Sequence, residues 1–306
     1  AGLPQGALAL LTGPGETVGA ALVADPRCAG VCFTGSTQVA KIIQRTLAQG
    51  DGPIVPLIAE TGGLNAMLVD SSALPEQVVD AVVQSAFRSA GQRCSALRLL
   101  CLHEGIADGV LRMLGGAMQG LRLGAPEHPD TDVGPVIDAE AKAGLDAHVA
   151  RLDGEARRLA TAPLPAGCES THVAPVMFEV PTVSALRTEV FGPVLHVLRW
   201  GPGTAVPDLE TLVAQVNALG YGLTLGVQTR IDRRAERVAA TARVGNVYVN
   251  RNMIGAVVGV QPFGGEGLSG TGPKAGGPNY LLRFCAEQTL TINTTAAGGN
   301  VALFAA

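Results

Sequence analysis

The feature that most constrains this chain is its alternation of short apolar runs with longer amphipathic segments. Residues 7–11, 30–33, 54–59, 66–69, 97–102, 195–198, 223–228 and 246–249 have the length and aliphatic content of buried strands. Between them, residues 16–24, 37–47, 75–90, 107–118, 137–152, 208–218 and 233–242 carry the pattern of helices that cover a sheet. Pro75 suits the first turn of its helix, where a missing N–H costs nothing. Such alternation predicts an α/β fold with largely parallel sheets.

Composition narrows the function classes. The 306 residues suffice for one large domain or two smaller ones. Although 47% of them are hydrophobic, no uninterrupted apolar run reaches the roughly 18 residues that a membrane-spanning helix needs. A net charge of −4, scattered Lys and Arg, three Tyr and one Trp provide neither a cationic face nor a stacking surface for nucleic acid. The six cysteines (Cys28, Cys32, Cys94, Cys101, Cys168 and Cys285) include no C-x-x-C pair, and a chain of this size needs no disulfide staples. A reducing, cytoplasmic setting is expected. His103, His128, His172 and His196 read as surface or core residues, so no metal site is expected and a thiol hydrolase is a third, weaker alternative. Ala1-Gly2-Leu3-Pro4 opens directly into the first strand without the leader of a signal peptide. The reading expects a fragment whose beginning lies upstream.

Many of the 40 glycines fall in short turns. Thr12-Gly13-Pro14-Gly15-Glu16-Thr17-Val18-Gly19 and Phe33-Thr34-Gly35-Ser36-Thr37 each follow a strand and open a helix. Free N–H groups and a partial positive charge at a helix N-terminus can cradle a phosphate. Each by itself is more simply explained as a plain glycine turn with an N-cap such as Ser36, and it is the two in tandem that raise the nucleotide reading.

Two further stretches carry chemistry. In Gly91-Gln92-Arg93-Cys94-Ser95 a cysteine sits in a polar loop just before a strand, flanked by Arg93 and Ser95. Thiols beside positive or hydrogen-bonding groups become competent nucleophiles, whereas Cys28, Cys32, Cys101 and Cys285 read as core residues. In Ala59-Glu60-Thr61-Gly62-Gly63 a carboxylate ends a strand, where α/β proteins place their chemistry. The pair suggests a thiol nucleophile with a general base for water; a solvated loop carboxylate is the alternative for Glu60.

These stretches occur in the order typical of one superfamily. Phe33–Thr37, Glu60-Thr61-Gly62-Gly63, Gly91-Gln92-Arg93-Cys94, Glu189-Val190-Phe191-Gly192-Pro193 and Pro262-Phe263-Gly264-Gly265 resemble the aldehyde dehydrogenases. Within them, residues 59–74, 94–98 and 255–265 and the tail 293–300 most resemble the L-glutamate γ-semialdehyde dehydrogenase domain of the proline utilisation A flavoproteins. The resemblance runs from residue 1 to about 300.

It implies a partial Rossmann-type NAD-binding domain over residues 1–61, a catalytic α/β domain over 62–285 and a tail, 286–306, that supports homo-oligomerisation. It implies NAD-dependent oxidation of L-glutamate γ-semialdehyde, a small amino acid aldehyde, to L-glutamate, with Cys94 as nucleophile and Glu60 as base. Glu189 would hold the nicotinamide ribose and Phe191 would pack beside it, while Gly35 and Ser36 would meet the pyrophosphate. Ser95 and the backbone of Gly255 and Ala256 would hold the substrate α-carboxylate, and Phe263 would wall its aliphatic part. The family's oxyanion asparagine, its adenosine-ribose lysine and its first cofactor-domain strands would lie before residue 1, so the chain by itself is expected to be weakly active or inactive. A proline dehydrogenase domain would be fused to it in the full-length protein. Another aldehyde, or a catalytically silent structural domain, is the alternative.

Overall fold

A computed structural model of the chain describes residues 2–293; residues 294–306 of the expected tail lie outside it. Two strands, β1 (Val31–Thr34) and β2 (Leu57–Glu60), form a small parallel sheet of their own, paired from Val31–Leu57 to Thr34–Glu60. The helix between them, α2 (Thr37–Gln49), is capped by the Ser36 hydroxyl, which accepts the Val39 N–H at 3.2 Å. It is preceded by α1 (Ala20–Ala24), which a wide turn over Gly15–Gly19 leads into.

The main sheet has seven strands. In chain order they are β3 (Ala66–Val69), β4 (Leu99–His103), β5 (Arg157–Thr161), β6 (Val176–Glu179), β7 (Val194–Trp200), β9 (Thr224–Gln228) and β10 (Asn246–Val249). In space they run β10-β9-β3-β4-β7-β6-β5, all parallel except β5 against β6. A short antiparallel pair links β8 (Tyr221–Gly222) to β11 (Glu266–Gly267).

Alternate strand residues face opposite layers. Met67, Val69, Leu100 and Leu102 pack with α3 (Pro75–Ala86) and α4 (Glu104–Gln119). Ala66, Leu68, Leu99 and Cys101 pack with α6 (Leu209–Ala218) and α7 (Asp232–Thr241). Burial on both faces is why β3 and β4 read as unbroken apolar runs rather than alternating ones.

The structure departs from the sequence reading in four places. Residues 7–11 form no strand, and Leu8 and Leu10 are 81% and 87% exposed. A strand exists only through a ladder partner, and β1 pairs with β2 alone. Strands β5 and β6 were not expected from the sequence. The helix expected to reach residue 90 stops at Ala86, because Ser89, Ala90 and Gly91 all turn left-handed at φ 56°, 52° and 64°. Helix α5 (Ala139–Glu155) starts two residues later than expected, where the Asp138 carboxylate accepts the Ala141 N–H at 2.7 Å.

Candidate active site

The carboxyl ends of β1 and β2 face the segments that enter β4, β7 and β9 across a cleft of about 1140 Å³. All ten residues singled out in the sequence line it: Gly35, Ser36, Glu60, Cys94, Ser95, Glu189, Phe191, Gly255, Ala256 and Phe263. In the small sheet the chemistry sits at the carboxyl edge, as α/β proteins generally place it. In the large sheet it sits at the opposite, amino edge.

Three consecutive left-handed residues throw the chain out of α3 and present Cys94. Gly91 is obligatory there: a Cβ would lie 2.3 Å from the Gly192 carbonyl oxygen. The Gln92 side chain holds the neighbouring loop, donating to Pro135 O at 3.1 Å and accepting from Ile137 N at 2.8 Å. The loop on the far side of Cys94 is fixed by Asn65, a residue the sequence reading overlooked. Its side-chain amide donates to the Cys94 and Ala96 carbonyls at 2.7 and 2.9 Å, and its carbonyl oxygen accepts from Thr224 N at 3.2 Å.

Burial pushes the Cys94 thiol above its ordinary pKa; the Ser95 N–H opposes this, and the Glu189 and Glu60 carboxylates add to it. Glu60 is shifted more. Burial raises its carboxyl to about 7, against the Gly265 N–H donated at 3.3 Å and the charge of Lys274. Its Oε1 is buried with no hydrogen-bond partner among the described residues. The space around it exists because Gly264 lacks a side chain: a Cβ there would come within 2.8 Å of Oε1.

Glu189 accepts the Gly63 N–H at 3.2 Å and pairs with the buried Arg98 at 3.6 Å. Desolvation nonetheless raises its carboxyl above the usual range. The Phe191 ring, 44% exposed, lies under the Arg98 guanidinium at 5.3 Å. Across the cleft the Ser95 hydroxyl accepts the Gly255 N–H at 3.3 Å, and the Tyr248 hydroxyl donates to Gly255 O at 3.1 Å. Gly255 itself is left-handed, φ 70°. Near the other end, a Cβ on Gly35 would come within 2.4 Å of the Phe33 ring, which would have to move aside to admit one at the turn into α2.

A half-buried thiol, a carboxyl poised near neutrality and a second buried carboxylate, all in one cleft, are the equipment of thiol-based acyl chemistry. Comparison with protein families matches residues 1–290 to the aldehyde dehydrogenase family. The chain belongs to that family. The bifunctional protein PutA of Klebsiella aerogenes is 56% identical over 297 residues, covering 94% of this chain and 22% of that protein. The crystal structure of a bifunctional proline utilization A protein superposes with a TM-score of 0.90 at 60% identity, covering 97% of this chain and 30% of the other. A 1-pyrroline-5-carboxylate dehydrogenase from Thermus, crystallised with bound NAD, gives 0.83 at 35%, covering 92% and 54%. This chain therefore spans about a fifth of the length of the PutA relative. Membership of an oxidoreductase family and the aldehyde dehydrogenase fold agree with the expectation from the motifs. No helix among the described residues is long and apolar enough to cross a membrane.

Proposed function

We propose that this chain carries the active site for NAD-dependent oxidation of L-glutamate γ-semialdehyde to L-glutamate, the aldehyde step of proline breakdown. The observation that carries it is the convergence of Cys94, Glu60, Glu189 and the Ser95–Gly255 pair on one cleft. The relatives named for PutA and 1-pyrroline-5-carboxylate dehydrogenase support the same reading.

The residues fit a dinucleotide. Glu189 offers carboxylate oxygens to ribose hydroxyls, Phe191 an exposed ring face, and Gly35 with Ser36 the N-terminus of α2 at the cleft. The chemistry NAD supplies on that wall is acceptance of the hydride from the carbon bonded to Cys94.

The protein groups do the rest. Cys94 Sγ adds to the aldehyde carbon, and the adjoining backbone N–H groups stabilise the negative oxygen that develops. Ser95 Oγ and the Gly255–Ala256 backbone orient the α-carboxylate without a buried cation, which suits a zwitterion. Glu60, near neutrality and with Oε1 unpaired, takes a proton from the water that cleaves the thioester. In the full-length protein a proline-oxidising domain would generate the aldehyde, and the setting would be cytoplasmic, with the chain in a homo-oligomer. The boundary between the NAD-binding part, 1–61, and the catalytic part, 62–285, would fall between Thr61 and Gly62.

The test is NADH formation with glutamate semialdehyde by this chain and by the full-length protein, with Cys94→Ala as control. Turnover that Cys94→Ala abolishes supports the reading. Absence of turnover in the full-length protein, with Cys94 unreactive to thiol reagents, refutes it.

A further inference from the structure

Arg98 belongs to none of the site residues read from the sequence, yet it is 1% exposed behind the cleft, where the segment entering β4 meets the segment entering β7. Its Nη1 donates to Gly192 O at 2.9 Å, and its Nη2 donates to Arg93 O at 3.2 Å and lies 3.6 Å from Glu189 Oε1. Arg93 immediately precedes Cys94, and Gly192 immediately follows Phe191. The backbone of Arg98 is fixed in turn. Its N–H donates to Asn65 O at 2.9 Å, and its carbonyl accepts from His196 Nδ1 at 2.9 Å. With Nδ1 protonated, His196 Nε2 accepts from His148 Nε2 at 3.1 Å, and His148 Nδ1 accepts from Arg151 at 3.3 Å.

Filling the space does not require a charge. A buried guanidinium costs several kcal/mol unless its charge and donors are used, and an apolar side chain of similar length would pack there. The Nε has no partner among the described residues, so the position is not optimised for hydrogen bonding alone. What the site does need is a counter-charge: two carboxylates, Glu60 and Glu189, approach the thiol that must ionise.

We propose that Arg98 is a positioning residue that holds Glu189 beside Cys94 and neutralises it, so that the thiolate can form next to that carboxylate. This rests on the functional reading of Cys94 and Glu189 above. The charged and titratable groups around the thiol are Glu60 from β2, Glu189 before β7, Arg93 and Arg98 from its own segment before β4, and Tyr248 from β10. His196 and His148, behind Arg98, are both pushed down to about 4 by burial and stay neutral where a thiol titrates. Arg98 is the cation paired with Glu189. Without it, Glu189 is ionised and uncompensated at the alkaline pH where Cys94 titrates, and the thiol's titration moves up.

The test is the pH profile of Cys94 alkylation by iodoacetamide in the wild-type chain, Arg98→Met and Arg98→Lys. It is read by peptide mass mapping, since Cys28, Cys32, Cys168 and Cys285 are also accessible, and folding is monitored by circular dichroism. Arg98→Met should react about tenfold more slowly near neutral pH, its profile displaced upward by about one unit. Arg98→Lys should return the profile toward wild type. A Met profile superimposed on wild type, or a Lys profile displaced as far as Met, overturns the proposal. Should Arg98→Met not fold, Arg98→Lys decides alone: a wild-type profile supports the proposal and a displaced one overturns it. If neither folds, Arg98 is a folding residue and the proposal falls. NADH binding to the full-length protein reports separately on the functional reading: with none, that reading fails, while the alkylation profiles still decide the role of Arg98.

Discussion

Gly62 sits so close to Glu189 that a Cβ on it would fall 1.6 Å from the carboxylate Oε2. The second wall of the cleft therefore rests on the absence of a side chain in the first. Gly62→Ala should push the Glu189 carboxylate out of place while leaving both sheets intact. In steady-state kinetics the KM for NAD should rise by at least about tenfold, with a smaller change in kcat. An unchanged KM would show that Glu189 does not hold the cofactor.

Glu60 sets a pH limb. With its carboxyl raised to about 7, the thioester-hydrolysing step should fall as pH drops below that value and the base is protonated. Glu60→Gln should lower kcat by roughly 10²–10⁴ and remove the limb from what remains. The stability effect has the opposite direction to that of a salt-bridged carboxylate. The folded state binds this proton more tightly than the unfolded one, so stability is lost as pH rises from about 4.5 to about 7. Urea unfolding at the two ends of that window should reveal a loss on the order of 1–3 kcal/mol for a partly solvated group, absent from the Gln variant.

Asn65 spans Cys94, Ala96 and Thr224 with one side chain. Asn65→Ala should destabilise the fold by about 2–4 kcal/mol, because buried carbonyls lose their donor. It should also lower kcat, because the nucleophile's loop is no longer fixed. Denaturant midpoints and turnover, measured on the same preparation, should fall together. A stable but slow variant would mean that the loop holds itself.

Ser95 should decide substrate choice. Ser95→Ala removes the hydroxyl that meets Gly255 and, in the proposed complex, the α-carboxylate. The kcat/KM for glutamate semialdehyde should drop about 10–100-fold while that for an unsubstituted aldehyde such as propanal changes little. Equal losses for both substrates would point to a damaged nucleophile rather than a lost carboxylate contact.

Much of this site could be read from the sequence because its residues announce themselves locally. Cys94 lies in a polar loop between a helix and an apolar strand, Glu60 ends a strand before two glycines, and the motifs around them come in family order. Asn65 and Arg98 stayed hidden for a different reason. Each is a polar residue at the mouth of an apolar strand, and its role depends on partners up to 159 residues away, such as Thr224 for Asn65. Strand β5, Arg-Arg-Leu-Ala-Thr, escaped notice because it is a half-exposed edge strand that carries charge. The expected strand over residues 7–11 had the right composition, but composition cannot supply a hydrogen-bonding neighbour. His196, read as a surface or core residue, is buried in a pair with His148.

The proposed base, Glu60, and the proposed nucleophile, Cys94, belong to different sheets, and one stretch of chain near residues 263–275 stitches them together. Ser269 O accepts from Thr61 N at 3.0 Å, Thr271 exchanges bonds with Ala59 at 2.9 Å in both directions, and Ser269 Oγ accepts from Gly222 N at 3.0 Å. Phe263 pairs with Ala275 within the same stretch, and Gly265 donates to Glu60 itself. On the proposed mechanism, a molecule whose stitching had come undone would still offer a reactive sulfur to an aldehyde, but its water would be activated by nothing. It would turn over once and stop, its cysteine capped by the product it could not release.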